Sequence, residues 1–190
     1  VVGTGGEVWR ASRVLVRYLA DEGHFPGEAP FAGRRAVEVG AGVGLPGLAC
    51  AALGADATLT DEERVLSVTE ENVRANSGGH GSASGGRCRA AALSWGEDAS
   101  HLEPPFDLVL GTDILYLPET YDALVSTLDV LLAADGLCVL AWERRSALEA
   151  RFLDIARERF EVCDLFEDLD DRARLEFSGV TLVSLRRPPH

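Results

Sequence analysis

The sequence predicts an α/β fold: a Rossmann-like, doubly wound sheet of seven mostly parallel strands with an antiparallel last strand. Apolar segments of strand length alternate with segments of helical periodicity along nearly the whole chain, as in sheets covered by helices on both faces. Closely spaced glycines follow the first strand, at Gly40, Gly42 and Gly44. A chain of 190 residues fits one domain, which we expect to span residues 1–190.

The first half of the chain alternates predicted helices with strands. Apolar side chains, Val8 among them, recur at helical spacing from residue 7 onward, and Pro46 and Gly54 are typical of a helix start and a helix end. The helices are predicted over residues 7–20, 45–53 and 62–76, and the strands over 35–39 and 57–61. The glycine- and serine-rich segment 77–86 is predicted to be a mobile surface loop.

The second half continues the alternation and ends in two consecutive strands. Pro104-Pro105 separates the third strand from the fourth, and Asp135-Gly136 predicts a turn before the fifth. Strands are predicted over residues 88–95, 106–111, 137–142, 161–166 and 180–185, and helices over 118–132 and 146–160. We expect the last two strands to pair antiparallel, with residues 167–176 forming a loop between them.

The net charge and the hydropathy of the chain limit the classes of partner that we expect it to bind. A formal net charge of −13 is the opposite of what phosphate backbones attract, so nucleic acid is not expected as a partner. Such acidity favours a basic protein or peptide; the alternative is that it only keeps the domain soluble. No segment is long and apolar enough to cross a bilayer, so we expect no membrane contact. We also expect a monomer.

The amino-acid composition excludes several kinds of binding site and catalytic mechanism. The sequence contains no lysine, which rules out a Walker-type phosphate loop and Schiff-base catalysis. Its four cysteines are far apart and its histidines are scattered, so we expect neither disulfides nor a metal site. The N-terminus shows no signal-peptide pattern and no methionine, as in a processed product or an excised piece. The separate cysteines indicate a reduced, intracellular protein, for which the cytoplasm is the expected location and the nucleus an additional one.

The glycine loop is the most informative motif. Glycines after a buried strand let a ligand approach the main chain. Glu38 precedes them, and a carboxylate suits a ligand with a cationic amino group, such as S-adenosylmethionine, better than a phosphate. Residues 42–47 also fit the dinucleotide pattern G-x-G-x-x-G. The dinucleotide alternative is weaker for two reasons. The strand already ends at Gly40, so the pattern begins too far along the chain, and no Tyr–Lys pair or His–Asp relay is present to transfer a proton.

Four further side chains follow strand ends, where ligands of such sheets bind. Asp61 lies 21 residues after Gly40, a spacing that suits a ribose-binding carboxylate; the alternative is a helix N-cap. Trp95 could cover an adenine ring or belong to the core. Asp113 could orient donor and acceptor while Tyr116 lines the acceptor channel; the alternative is that Asp113 caps the helix near Pro118 and Tyr116 is half-buried. Near the start, Trp9 could close the same pocket or only pack its helix.

With these residues assembled, the chain resembles the seven-stranded, methyltransferase-like protein lysine methyltransferases. The motifs that carry the resemblance are VEVGAGVGLPGLAC, the strand end at Asp61, LSWG, and FDLVLGTDILY with its D-x-x-Y signature; AWERR is similar too. The 77–86 segment and the short N-terminus depart from the family. The resemblance implies acceptor-side residues Asp113 and Tyr116, with Glu38 as part of the wider pattern. It implies donor contacts from Trp9, Gly40, Ala41, Gly42, Asp61, Trp95 and Thr112.

The activity expected from this resemblance is methyl transfer from S-adenosylmethionine to a lysine of a non-histone protein, leaving S-adenosylhomocysteine. Alignment and removal of water would supply the catalysis, without a strong general base. Two alternatives stay open: a small-molecule N- or O-methyltransferase on the same scaffold, and a donor-binding interaction module without catalysis.

Overall fold

A computed structural model describes residues 6–77, 85–145 and 147–189, and these residues form one sheet flanked by helices. The strands are β1 Arg35–Val39, β2 Asp56–Asp61, β3 Arg87–Ala92, β4 Phe106–Thr112, β5 Leu132–Glu143, β6 Glu161–Asp164 and β7 Val180–Arg186. The helices are α1 Arg10–Leu19, α2 Leu45–Ala52, α3 Leu66–Ser77, α4 Tyr121–Leu131, α5 Glu149–Arg157 and α6 Asp171–Glu176. Short 3₁₀ turns lie at Ser100–Leu102, Pro118–Thr120 and Phe166–Asp168.

The strand order confirms the predicted doubly wound fold. The seven strands are ordered β3-β2-β1-β4-β5-β7-β6, and β7 runs antiparallel to both of its neighbours. All other pairings are parallel. The chain winds outward from β1 in one direction and from β4 in the other, so a crevice opens where these two strands end.

Each face of the sheet carries its own apolar core. Alternate residues of β1 divide between them: Ala36 packs with α1 and α2, whereas Val37 and Val39 pack with α4 and α5. On the latter face the rings of Tyr121 and Phe152 meet edge to face, with centroids 5.7 Å apart. The two cores hold the strand ends rigidly, which fixes the crevice between them.

The structure corrects several predicted element limits. Residues 167–176 are not a loop: they contain a 3₁₀ turn and α6, which begins because the Asp170 carboxylate accepts the Ala173 N–H at 2.8 Å. So short a helix leaves no periodic pattern to detect. The third strand ends at Ala92, before Trp95, and α1 begins at Arg10, so Val8 is 56% exposed. Of the predicted 77–86 loop, residues 78–84 lie outside the described part.

None of the helices within residues 6–77, 85–145 and 147–189 combines the length and the apolar character that a membrane span requires.

Candidate active site

The glycine loop after β1 turns in left-handed backbone conformations. Gly40 has φ 63° and Gly42 has φ 52°, values that favour glycine. A Cβ atom on Gly40 would lie 2.7 Å from Ile114 Cγ2 and 3.3 Å from Trp95 Cζ2. The absence of a side chain therefore keeps space open beside the loop, and the main chain itself becomes a wall of that space.

Glu38 supports this loop from within the core. Its side chain is 1% exposed, and its Oε2 accepts the Gly47 N–H at 2.8 Å, while Oε1 is buried without a partner among the described residues. Burial raises the pKa of Glu38 to about 8, although the Gly47 N–H opposes the shift. The carboxylate does not line the cavity described below, so the structure does not show the direct ligand contact that the sequence suggested.

Asp61, the last residue of β2, joins the second strand to the loop. Its Oδ2 accepts the Gly42 N–H and its Oδ1 accepts the Glu62 N–H, both at 2.8 Å. Burial raises the pKa of Asp61 and outweighs these two hydrogen bonds, which lower it. Since α3 begins only at Leu66, Asp61 does not cap that helix, and the alternative interpretation of this residue is wrong.

Asp113 follows β4 in a strained position. It has φ 54°, which is uncommon outside glycine, and its side chain is 4% exposed. Its Oδ1 accepts the Glu143 N–H at 3.0 Å and pairs with Arg145 Nη1 at 3.1 Å, and its buried Oδ2 has no partner within the described residues. Burial raises the pKa of Asp113 against the lowering effects of these neighbours. The side chain is bound to the end of β5, not to the helix after Pro118.

The N-terminal helix reaches the same place through a hydrogen bond between distant residues. Ser12 Oγ and Thr112 Oγ1 lie 2.8 Å apart and are buried, which fixes α1 against the end of β4. Trp9 directly precedes α1 and lines the cavity described below. The Arg145 guanidinium carbon lies over the Trp9 ring, 5.2 Å from its centroid.

These elements enclose a cavity of about 450 Å³ at the carboxyl ends of the strands. All of the predicted site residues except Glu38 line it. They are Trp9, Gly40, Ala41, Gly42, Asp61, Trp95, Thr112, Asp113 and Tyr116. A second cavity of about 230 Å³ adjoins it and shares Asp113, Tyr116 and Arg145. Tyr116 is 60% exposed at this junction, and partial burial, followed by the charge of Asp61, raises the pKa of its hydroxyl.

The wall of the larger cavity carries an excess of negative charge. Four carboxylates line it, those of Glu7, Asp61, Glu62 and Asp113, against the two arginines Arg64 and Arg145. Arg64 pairs with Glu62. Sequence reasoning gave no function to Arg145, to Glu143 or to Ser12. The AWERR segment after the fifth strand was the available signal for the first two, and no local pattern points to Ser12.

In the part of the chain that the structure describes, no group of three or more histidine, cysteine, aspartate or glutamate side chains is placed to hold a metal ion.

Comparison with known proteins places this geometry in context. A family model described as "Lysine methyltransferase" matches residues 1–159. The chain is 36% identical over 171 residues to the protein N-lysine methyltransferase METTL21A of Danio rerio, covering 88% of this chain and 73% of that protein. It is 37% identical over 145 residues to the EEF1A lysine methyltransferase 3 of Mus musculus, covering 76% and 58% respectively.

Solved structures share the fold at lower identity. A TehB-like SAM-dependent methyltransferase from Corynebacterium glutamicum superposes with a TM-score of 0.66 at 17% identity, covering 96% of this chain and 89% of that one. The T. Thermophilus 16S rRNA N2 G1207 methyltransferase RsmC, in complex with AdoMet and guanosine, gives 0.67 at 18% identity, covering 98% and 45%. At such identities the likeness concerns the fold alone.

Proposed function

The chain belongs to the lysine methyltransferase family, and we propose on this premise that it transfers a methyl group from S-adenosylmethionine to the side-chain nitrogen of a lysine in another protein. One observation carries the proposal. A single cavity brings together the glycine loop, Asp61 and Asp113, and Asp113 has a buried oxygen without a partner among the described residues. Such an oxygen is costly to bury unless a ligand supplies a donor.

The cavity fits the donor in size, charge and hydrogen-bonding groups. Its volume of about 450 Å³ lies in the range of small-molecule sites, about 300–1,000 Å³. The excess of carboxylates suits a ligand with a sulfonium and an ammonium group. Each Asp61 oxygen accepts one backbone N–H and retains lone-pair capacity, which suits the two hydroxyls of a ribose.

We assign the donor to the side of the cavity formed by the glycine loop. When bound, S-adenosylmethionine supplies a methyl group already activated by the positive charge on sulfur. The residues proposed to hold it are Trp9, Gly40, Ala41, Gly42, Asp61, Trp95 and Thr112. Glu38 acts indirectly in this proposal, because it holds the Gly47 N–H and so fixes the loop.

The acceptor is assigned to Asp113 and Tyr116. A lysine must lose its proton before it can act as a nucleophile, and its unperturbed pKa is about 10.4. A site from which water is excluded lowers that pKa. Asp113 Oδ2 would accept one N–H of the amine and direct its lone pair, while the Tyr116 ring and hydroxyl hold the chain beside it.

The acidity of the chain supports a basic protein as substrate, since opposite charge accelerates encounter. A single monomeric domain over residues 1–190, located in the cytoplasm or the nucleus, stays our prediction.

A lysate assay tests the proposal. The untagged chain is incubated with a cell lysate and isotopically labelled S-adenosylmethionine, and labelled sites are mapped by mass spectrometry. Because the sequence contains no lysine, every methylated lysine belongs to an acceptor. We expect lysine label that disappears with Asp113→Asn. Label on metabolites but not on protein would indicate a small-molecule methyltransferase, and calorimetric donor binding without transfer would indicate a binding module.

A further inference from the structure

Arg145 occupies the junction of the two cavities and makes contacts of a particular kind. Its guanidinium pairs with Asp113 Oδ1 at 3.1 Å and with Glu143 Oε2 at 3.0 Å, and it lies over the Trp9 ring. Two carboxylates and an aromatic face are the groups that proteins use to bind an alkylammonium ion. Arg145, a cation of the chain itself, therefore occupies a site whose carboxylates and aromatic ring also suit the ammonium group of a ligand.

Two further observations indicate that this site takes a ligand. The Asp113 side chain is 4% exposed, and its Oδ2 lies buried without a partner among the described residues. Arg145 satisfies only the other oxygen. The guanidinium side chain is itself 43% exposed, so solvent partly screens its charge and it can leave without unpacking the core.

We infer that the carboxylates of Asp113 and Glu143 form the subsite for the cationic head of the incoming lysine, beside the Trp9 ring that also borders the donor site, and that Arg145 occupies this subsite until the substrate displaces it. The inference rests on the proposed function. An arginine can occupy this subsite without being methylated, because its charge is permanent and delocalised and the guanidinium is therefore a poor nucleophile. Displacement leaves the carboxylates of Asp113 and Glu143 for the arriving ammonium, which lowers the cost of removing that ammonium from water. These carboxylates favour the protonated amine during binding, whereas the exclusion of water and the positive charge of the donor sulfonium favour its deprotonation before transfer.

The first test uses no methyl donor. The probe is n-butylammonium chloride, which reproduces the lysine side chain, and the signal is the indole N–H resonance of Trp9 during a titration followed by NMR. Removal of the internal competitor in Arg145→Ala should lower the half-saturating concentration roughly fivefold, the change that about 1 kcal/mol produces. The exposed neighbour Arg144→Ala serves as the matched control and should titrate like the parent.

The expected binding must also depend on Asp113. In Arg145→Ala combined with Asp113→Asn, the response of Trp9 to n-butylammonium should disappear. Equal titrations of the parent and Arg145→Ala, or a response that survives Asp113→Asn, would overturn the inference whatever the result of any activity assay.

The second test places a potential acceptor in the subsite. Arg145→Lys introduces the sole lysine of the chain, and with labelled S-adenosylmethionine we expect methylation at position 145 at a rate independent of protein concentration. The ammonium first releases one proton to solvent. The lone pair of the resulting amine then forms the new N–C bond, the S–C bond breaks with its electron pair returning to sulfur, and the positive charge passes from sulfur to nitrogen. Arg144→Lys, on the same segment, should remain unlabelled.

The outcomes separate this inference from the proposed function. If the variant binds the donor by calorimetry but stays unlabelled while the parent methylates lysate protein, the subsite assignment fails and the function stands. If neither chain binds the donor, the proposed function fails, and the n-butylammonium titration still decides the subsite.

Discussion

The two sides of the large cavity are built in different ways. On the glycine-loop side, formed by Gly40, Gly42 and Asp61, the positions depend on backbone conformation and on backbone N–H groups bound to one carboxylate. On the Asp113 side, formed by Asp113, Tyr116 and Arg145, they depend mainly on side-chain contacts between residues that follow β4, follow β5 and precede α1, together with the Glu143 N–H. The first arrangement joins residues that are close in the chain, such as Gly42 and Asp61, which are 19 residues apart. The second is assembled from segments as far apart as Ser12 and Thr112, which are separated by 100 residues.

This difference in construction corresponds to the different substrate that each side of the cavity is proposed to bind, the methyl donor on one side and the protein acceptor on the other. The methyl donor is one constant molecule, and a backbone-built wall suits it because side-chain changes leave the main chain in place. Protein acceptors differ, and a side-chain-built wall can change residue by residue. Substitutions on the two sides should therefore impair different properties. On the Asp113 side they should reduce the rate of methyl transfer, and on the glycine-loop side they should reduce the affinity for the donor and the stability of the fold.

Asp113→Asn should have the largest effect on transfer. Asparagine tolerates the left-handed backbone at this position, so the fold should survive while the amine loses its carboxylate. We expect the rate of methyl transfer to fall roughly 10²–10³-fold, as when one stabilising group of an active site is removed. Single-turnover kinetics measure it, with the exposed Asp122→Asn as control. A transfer rate near that of the parent would remove Asp113 from the mechanism.

Asp61→Asn should act on donor affinity instead. One oxygen that now accepts a backbone N–H becomes an amide, which disturbs the loop and the proposed ribose contact. The dissociation constant measured by calorimetry should rise roughly 10–100-fold, as for hydrogen bonds to a charged group. Asp56→Asn, at the exposed start of the same strand, is the matched control and should not change it. Unaltered donor affinity would argue against the assignment of Asp61.

Gly40→Ala should weaken folding through steric conflict. The added Cβ would approach Ile114 Cγ2 to 2.7 Å in a backbone conformation that already disfavours alanine. We expect the free energy of unfolding to fall by about 1–3 kcal/mol more than in Gly27→Ala. Gly27 has φ 98° but open space around it, so it isolates the backbone contribution. Equal losses in urea unfolding would show that the contact with Ile114 is harmless.

Glu38→Gln should alter how stability depends on pH. Burial raises the folded-state pKa of Glu38 from 4.5 to about 8, so between these values the folded chain holds a proton that the unfolded chain has released. The free energy of unfolding of the parent should therefore fall as pH rises through this window, by about 1.4 kcal/mol per pH unit from this residue. In Glu38→Gln that contribution should vanish.

Urea unfolding between pH 5 and pH 9 measures this slope, and the exposed Glu97→Gln provides the control. Identical slopes for the parent and Glu38→Gln would mean that Glu38 is already ionised when folded.

Sequence reasoning succeeded where the signal was local. Apolar segments of strand length, alternating with segments of helical periodicity, predicted all seven strands. The glycines and Asp61 predicted one wall of the cavity. It failed on α6, which depends on the single Asp170 cap, and on Ser12, whose partner Thr112 lies 100 residues away. Neither contact leaves a periodic or compositional trace.

The amino-acid sequence alone was enough for the fold class and for nine of the residues that line the cavity, because backbone preference and apolar periodicity are properties of short segments. Three features emerged only when the chain was folded: Glu38 is sealed beneath the loop, one Asp113 oxygen is left without a partner in the described residues, and Arg145 stands between the two cavities. Each depends on burial and charge contributed by segments that meet only in three dimensions, so no local pattern could specify it.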